Sequence, residues 1–404
     1  MKYVVFCIGL CCVLGFSHVT AQQKINLNLV EKILMEETPT KEDLEKAVEN
    51  VNLAIKKEKY YQKSKTWYLR GKAYEKLYYA DYTIKNMYKR SALSAAVASY
   101  VNAKRLELNS VYNLKAEREL ESLWGNELTT AVNYYQENKL FGAVSHFENL
   151  TIIKPADTKG YIYAASAATE LKDYPTAIKN FKSLARLNPR EDIYVNIIRL
   201  QKDFRYDYQS AQETINEAKR TLGQNNLTIL KNEVDLLITQ KKNQEAITVL
   251  DKTIALEPGN AVLHLRRGLL YDQIYSDEVV KTNPDENLLQ EYQKKAISSY
   301  KKTTELDPDN VTAYFNYSVL LSNKANRYFN EVNSLSMQEY EEKGEALKTK
   351  GMELLKTAVI PMEKALELDP DDVDTLFALQ NYYSALGENE KFFRVKERLK
   401  KLGY

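Results

Sequence analysis

Cysteine, histidine, proline and glycine are all scarce in this 404-residue chain, at 3, 3, 9 and 13 residues. The cysteines, Cys7, Cys11 and Cys12, all fall inside an apolar stretch near the start. Everything after them therefore lacks disulfides, thiolate nucleophiles and cysteine-ligated zinc. His146 and His264 are far apart, which speaks against a zinc site or a histidine-dependent nucleophile. Neither charge sign dominates: the net charge is +2 and acids and bases are interspersed, which argues against a dedicated nucleic-acid surface. Phosphate-loop, GxGxxG and HExxH motifs are missing. With few helix breakers and no Ser/Gly linker, the composition suits long helices joined by tight turns in one continuous body.

The one long apolar run spans Tyr3 to Phe16, behind Lys2 and ahead of Ser17-His18-Val19-Thr20-Ala21. A basic start, a short apolar core and small residues before a cut after Ala21 describe a cleaved secretory signal, residues 1–21. The run is short for a membrane span and is interrupted by Gly9 and Gly15. A lipoprotein would need a cysteine just after the apolar core, not within it. The sequence thus predicts an exported chain: periplasmic, envelope-associated or secreted, with no transmembrane segment after Ala21. A thiol-free body suits an oxidising compartment.

What is abundant is a repeat. Ala143-x3-Phe147-x2-Leu150-x2-Ile153-x-Pro155 recurs as Ala177-x3-Phe181-x2-Leu184-x2-Leu187-x-Pro189. Further copies begin at Ala211, Ala246, Ala296 and Ala358, with weaker ones at Ala47 and Ala96. The central alanines stand 34, 34 and 35 residues apart. Ahead of them runs a second pattern, sharpest as Trp67-x3-Gly71-x2-Tyr74 and repeated at Tyr161-x3-Ala165 and His264-x3-Gly268. The whole resembles the tetratricopeptide repeat (TPR) family, in the style of an exported bacterial TPR protein. Arg199 and Val234, where small residues belong, and Phe392, in place of an alanine, depart from the pattern.

The resemblance implies an all-α, right-handed superhelix, an α-solenoid of about 7–9 helix-turn-helix repeats filling 22–404. Approximate repeats are 28–61, 64–110, 124–157, 158–191, 192–225, 227–260, 261–310, 311–372 and 373–404. The small residue of each first helix (Gly71, Ala165, Gly268) is expected to face the alanine of the second (Ala96, Ala177, Ala296), letting the axes approach closely.

Three units break the regular spacing of 12 between small residue and alanine seen from Ala131 to Ala143. Gly71 to Ala96 is 25, Gly268 to Ala296 is 28, and Ser318 to Ala358 is 40. All three insertions fall between the two helices of a unit and read as helical: Asn283-Pro284 as cap and first helical residue, Ser336-x2-Glu339 as a capping box. Elongated hairpins are the expectation, with a binding role set against simple stiffening. Asn109 to Leu123 reads as an extension of the next first helix.

Candidate chemistry is thin. His264 reads as a structural ring, and His146 as lying on a solvated face beside Phe147. Asp307-Pro308-Asp309-Asn310 and Asp369-Pro370-Asp371-Asp372 read as helix caps in the turns between units and lack an EF-hand's glycine and closing glutamate. Of the tyrosine doublets Tyr60-Tyr61, Tyr78-Tyr79 and Tyr134-Tyr135, one member of each is expected in the core and one at the surface. In the family that the chain resembles, ligands lie along a groove lined by the first helices. Carried over, that groove holds Tyr68, Lys72, Glu75, Tyr135, Ile162, Ser166, Asn196, Leu200, Asp272, Phe315, Asn316 and Asn381. The family's basic-asparagine clamp for a peptide carboxylate is not reproduced. The expectation is a non-enzymatic scaffold of the bacterial envelope without cofactor or metal. It would bind a protein or peptide through the groove or the hairpins, and self-association is compatible with it. Glycan or nutrient binding is the second reading and a hydrolase the third.

Overall fold

The computed structural model describes residues 24–80 and 86–404; the expected signal segment, 1–21, lies outside them. Among the described residues the chain is all-α, built of helix pairs, and it divides into two compact units, 1–188 and 189–404.

In the first unit α1 (Leu27–Met35) pairs with α2 (Lys41–Ala54), and a short α3 (Glu58–Tyr61) follows. Then α4 (Ser64–Tyr79) pairs with α5 (Asn86–Arg105), α6 (Val111–Gln136) with α7 (Leu140–Ile153), and α8 (Thr158–Glu170) with α9 (Tyr174–Leu187). In the second, α10 (Glu191–Arg199) runs into a π-helical turn at Leu200–Phe204 and pairs with α11 (Tyr208–Leu222); α12 (Leu227–Thr239) pairs with α13 (Asn243–Leu256). The long hairpins are α14 (Ala261–Val279) with α15 (Glu286–Leu306), and α16 (Val311–Ser334) with α17 (Met337–Glu339), a π-helical turn at Tyr340–Gly344, and α18 (Glu345–Leu368). The last pair is α19 (Val373–Leu386) with α20 (Asn389–Lys401).

The regular pairs share one turn. Asn138, Lys172, Lys241 and Gly387 take positive φ of 57°, 64°, 58° and 74°. The amide one residue on then reaches back to a carbonyl of the last helical turn, as in Lys139 to Tyr134, Asp173 to Ala168, Lys242 to Leu237 and Glu388 to Tyr383, at 2.8–2.9 Å. This left-handed cap satisfies carbonyls that the helix end would orphan. Entry into helices is fixed by side-chain caps such as Asp173, Asn310 and Asp372, so the acidic turns are caps as expected.

The spacing irregularities are structural. The segment after Asn109 does lengthen a first helix, the 26-residue α6. The capping box at Ser336 and Glu339 is present. The start of α15 differs from expectation: Asp285, not Asn283, caps it, accepting from the amides of Asn287 and Leu288. Where Arg199 replaces a small residue, α10 loses regular winding. Gln201 is buried there and accepts from the Thr214 hydroxyl at 2.9 Å.

The close-approach rule needs a correction. A Cβ added at Gly71 would fall within contact distance of the Tyr100 ring, and one at Gly268 would lie 2.6 Å from Tyr300, not from Ala96 or Ala296. The glycine makes room for a flat ring four residues beyond the alanine. Each ring hydroxyl reaches an acid one turn along the first helix, Glu75 for Tyr100 and Asp272 for Tyr300. Arg70 and Arg267 bond Ser99 and Ser299, and Trp67 and His264 each donate to the carbonyl six residues back. Two of the long hairpins therefore share one locking device. In the third, Ser318 does meet its alanine, donating to the Ala358 carbonyl at 2.6 Å.

Gly71→Ala should gain about 1 kcal/mol of helix propensity and lose more to displacing a fully buried ring, a net loss of about 1–2 kcal/mol. Gly125→Ala on α6, with open space around it, should gain about 1 kcal/mol. Urea midpoints of the two variants, moving in opposite directions, check both.

Candidate functional site

Helix α7 is apolar except for Thr151 and one cluster, Ser145-His146 and Glu148-Asn149. Those residues would be anomalous in a plain core helix. They form the floor of a cleft of about 810 Å³ inside the first unit. One wall is the far end of the first long hairpin, with Tyr78 and Tyr79 from α4 and Lys89 and Arg90 from α5. Opposite lie Glu127, Thr130 and Tyr134 of α6, Phe141 and Val144 of α7, and Leu171, Asp173 and Thr176 at the α8–α9 turn. The regular hairpins end before this point, so the inserted length is what raises the wall.

Glu127 is 2 % exposed, and three donors converge on it. The Tyr78 hydroxyl donates to Oε1 at 2.7 Å, while Asn149 Nδ2 at 2.9 Å and His146 Nδ1 at 2.7 Å reach Oε2. Asn149 also donates to Tyr78, closing the network. A buried carboxylate is tolerable only when so satisfied. Burial, then the Glu127 charge, push the Tyr78 hydroxyl far above its ordinary value and the Tyr79 hydroxyl up to about 12. Because Nδ1 faces a carboxylate it carries the hydrogen, and Nε2 has no bonding partner among the described residues. His146 is a quarter exposed at the cleft surface, and its ring stacks on Tyr134, 5.3 Å between centroids at 16°.

Glu148 forms the second carboxylate of the floor. It accepts from Arg90 at 3.0 Å and Lys179 at 2.9 Å. Burial works to raise its carboxyl, but Lys179 and Arg90 together outweigh this and hold it below the usual range. Around the rim, Tyr79, Tyr134 and Phe141 are 48 %, 36 % and 72 % exposed. The doublet rule holds for Tyr78-Tyr79 but not for Tyr134-Tyr135, both of which reach the surface.

The residues carried over from the family groove fall differently. Tyr68, Lys72 and Glu75 do come together on α4. Tyr68 donates to Glu119 at 3.2 Å and lies 5.5 Å from the Tyr112 ring, and Lys72 bridges Glu75 and Glu119 at 3.2 and 3.3 Å. Tyr135 bonds Glu170 at 2.5 Å, and Ser166 and Ile162 are exposed on α8. Asn196 bonds within its own helix, to Asp192 and Arg199. Phe315 packs partly buried against a core cluster, Asn316 is half-buried and Asn381 exposed. Leu200 is fully buried and cannot line a groove: it stands three and seven residues on from the buried Ile197 and Ile193, on the same helix face. His264 is the structural ring expected, with Nε2 3.0 Å from the Pro258 carbonyl oxygen.

Asp272 sits beneath Tyr300, and burial raises its carboxyl against the opposing Tyr300 hydrogen bond. A raised acid contributes stability below its unfolded value, lost as pH rises through the folded one. Asp272→Asn should therefore flatten the fall in stability from pH 4 to pH 7, read as urea midpoints at both.

Among the described residues no group of three or more metal-ligating side chains could hold a metal ion, and no helix is long and apolar enough to cross a membrane. No family model and no curated protein matches the chain. Solved structures similar to it include the C-terminal part of a TPR repeat-containing protein from Cytophaga hutchinsonii, at 14 % identity over 68 % of this chain and 95 % of that one, with a TM-score of 0.47. A TPR repeats protein from Bacteroides fragilis is 19 % identical over 57 % of this chain and 99 % of its own, TM-score 0.39. YrrB, described as a TPR protein with an unusual peptide-binding site, is 16 % identical over 46 % and 88 %, TM-score 0.33. The fold described above rests on the chain's own helix pairs.

Proposed function

We propose that this chain is a non-catalytic scaffold that binds a protein partner, and that the cleft of the first unit is where a segment of that partner enters. The observation that supports this reading is the coincidence of hairpin and cleft. Inserted residues that a stacked helix pair does not need build one wall of a cavity with an aromatic rim and a prearranged polar floor. Such a combination of exposed aromatic area and fixed hydrogen-bonding groups suits recognition. Both carboxylates of the floor are held by several donors each, so neither is free for the acid, base or nucleophile role that glycosyl transfer needs.

The setting we propose is the bacterial cell envelope, reached through the N-terminal signal. N-terminal sequencing of the protein from an envelope fraction should begin at Gln22; a chain retained in the cytoplasm with Met1 in place would refute it.

A photoreactive residue placed at Phe141 should crosslink a defined protein in envelope extract, while the same residue at the exposed Val111 should not. Equal capture at both positions, or at neither, would remove the cleft from the account.

A further inference from the structure

The cleft has an imbalance between its acceptors and its donors. Its two floor carboxylates are spent. Glu127 takes three hydrogen bonds from the protein and Glu148 takes those of Arg90, Lys179 and Asn180. Asp173 caps α9 through the Thr176 amide. Its donors are not spent. Lys89 forms no ion pair among the described residues, and Arg90 gives a single nitrogen, Nη1, to Glu148.

An added cation would find both floor carboxylates already committed. The wall opposite adds Lys89 and the spare guanidinium hydrogens of Arg90, which suit a planar carboxylate. Tyr79, Tyr134 and Phe141 supply exposed aromatic faces beside these groups.

Resting on the scaffold reading above, we infer that the partner segment is an acidic peptide, with carboxylates seated against Lys89 and Arg90 and apolar side chains on the aromatic rim. A neutral glycan would use the rim but has no use for the uncommitted cations.

The test is a selection of a randomised decapeptide display library on the immobilised full chain. Bound peptides should be enriched in Asp and Glu about threefold over the input. Synthetic versions of the best binders should lose about tenfold in affinity when their acids become Asn and Gln. Lys89→Gln with Arg90→Gln should lower affinity by a similar factor while circular dichroism stays unchanged; Lys89→Gln alone, which breaks no ion pair, should give part of that loss. Raising salt from about 0.05 to 0.3 M should weaken binding severalfold. No acidic enrichment, enrichment in Lys and Arg, or acidic binding indifferent to both substitutions would overturn the inference. So would a neutral oligosaccharide that binds in a manner lost with Phe141→Ala. If the selection fails while the Phe141 crosslink still captures a protein, the acidic specificity falls and the scaffold reading stands; if the crosslink fails as well, both fall.

Discussion

Ala177→Glu is expected to collapse the first unit. Ala177 is fully buried on α9, in the second-helix position where the repeat keeps a small residue. A glutamate there needs several atoms of space in a packed crossing and carries a charge with no partner arranged for it. Overpacking costs about 1–3 kcal/mol, and an uncompensated buried charge adds about 3–5 kcal/mol. Even if the carboxyl stays protonated, the sum is a large part of a typical stability of about 5–15 kcal/mol. Thermal melting followed by circular dichroism should show a lost or strongly lowered transition, and limited proteolysis should cut within 1–188. Arg186→Gln, exposed on the same helix, should change stability by less than about 0.5 kcal/mol. An Ala177→Glu protein that melts like the wild type would mean that α9 is not packed as described.

The second large effect is expected at the cleft floor. Glu127→Ala removes the acceptor shared by Tyr78, Asn149 and His146 and leaves the donors of the buried Tyr78 and Asn149, and that of the partly exposed His146, unpaired. An unsatisfied buried donor costs about 1–3 kcal/mol. Some relief comes from the Asn149–Tyr78 bond, so a total of about 3–4 kcal/mol is expected. Glu127→Gln keeps the shape and one acceptor oxygen but points an amide at a donor, and should cost about half as much. Urea denaturation of the full chain, followed by the fluorescence of Trp67 and Trp124, reads both, since both tryptophans lie in this unit. A loss under about 0.5 kcal/mol for Glu127→Ala would show that the network is open to water, which can replace the lost acceptor.

The repeat was legible because packing imposes it. Stacked helix pairs need an alanine wherever two axes cross, and that need writes a period of 34 that survives heavy substitution elsewhere. The three long hairpins were legible for the same reason, as counted departures from that period. Capping boxes and acidic turns were also readable, because their chemistry is local and depends on residues three or four apart. The pairing of glycine with tyrosine was not. Gly71 and Tyr100 are 29 positions apart, and only the crossing geometry of α4 and α5 shows that the ring, not Ala96, fills the gap.

The cleft was legible only as an anomaly. His146, Glu148 and Asn149 break the apolar run of α7, but the run does not say what they meet. Their partners come from four other helices: Tyr78 on α4, Arg90 on α5, Glu127 on α6 and Lys179 on α9. Reading His146 from its neighbours in sequence missed its bond to Glu127 and its stack on Tyr134. The carried-over groove shows the same limit, since Leu200, counted onto it from the repeat, is fully buried. By itself, then, the sequence determined the helix pairs, their caps and which pairs are elongated, all consequences of local propensity and a packing period. The tertiary structure alone decided which polar residues converge on Glu127, because a buried network is assembled across elements whose meeting no linear spacing records.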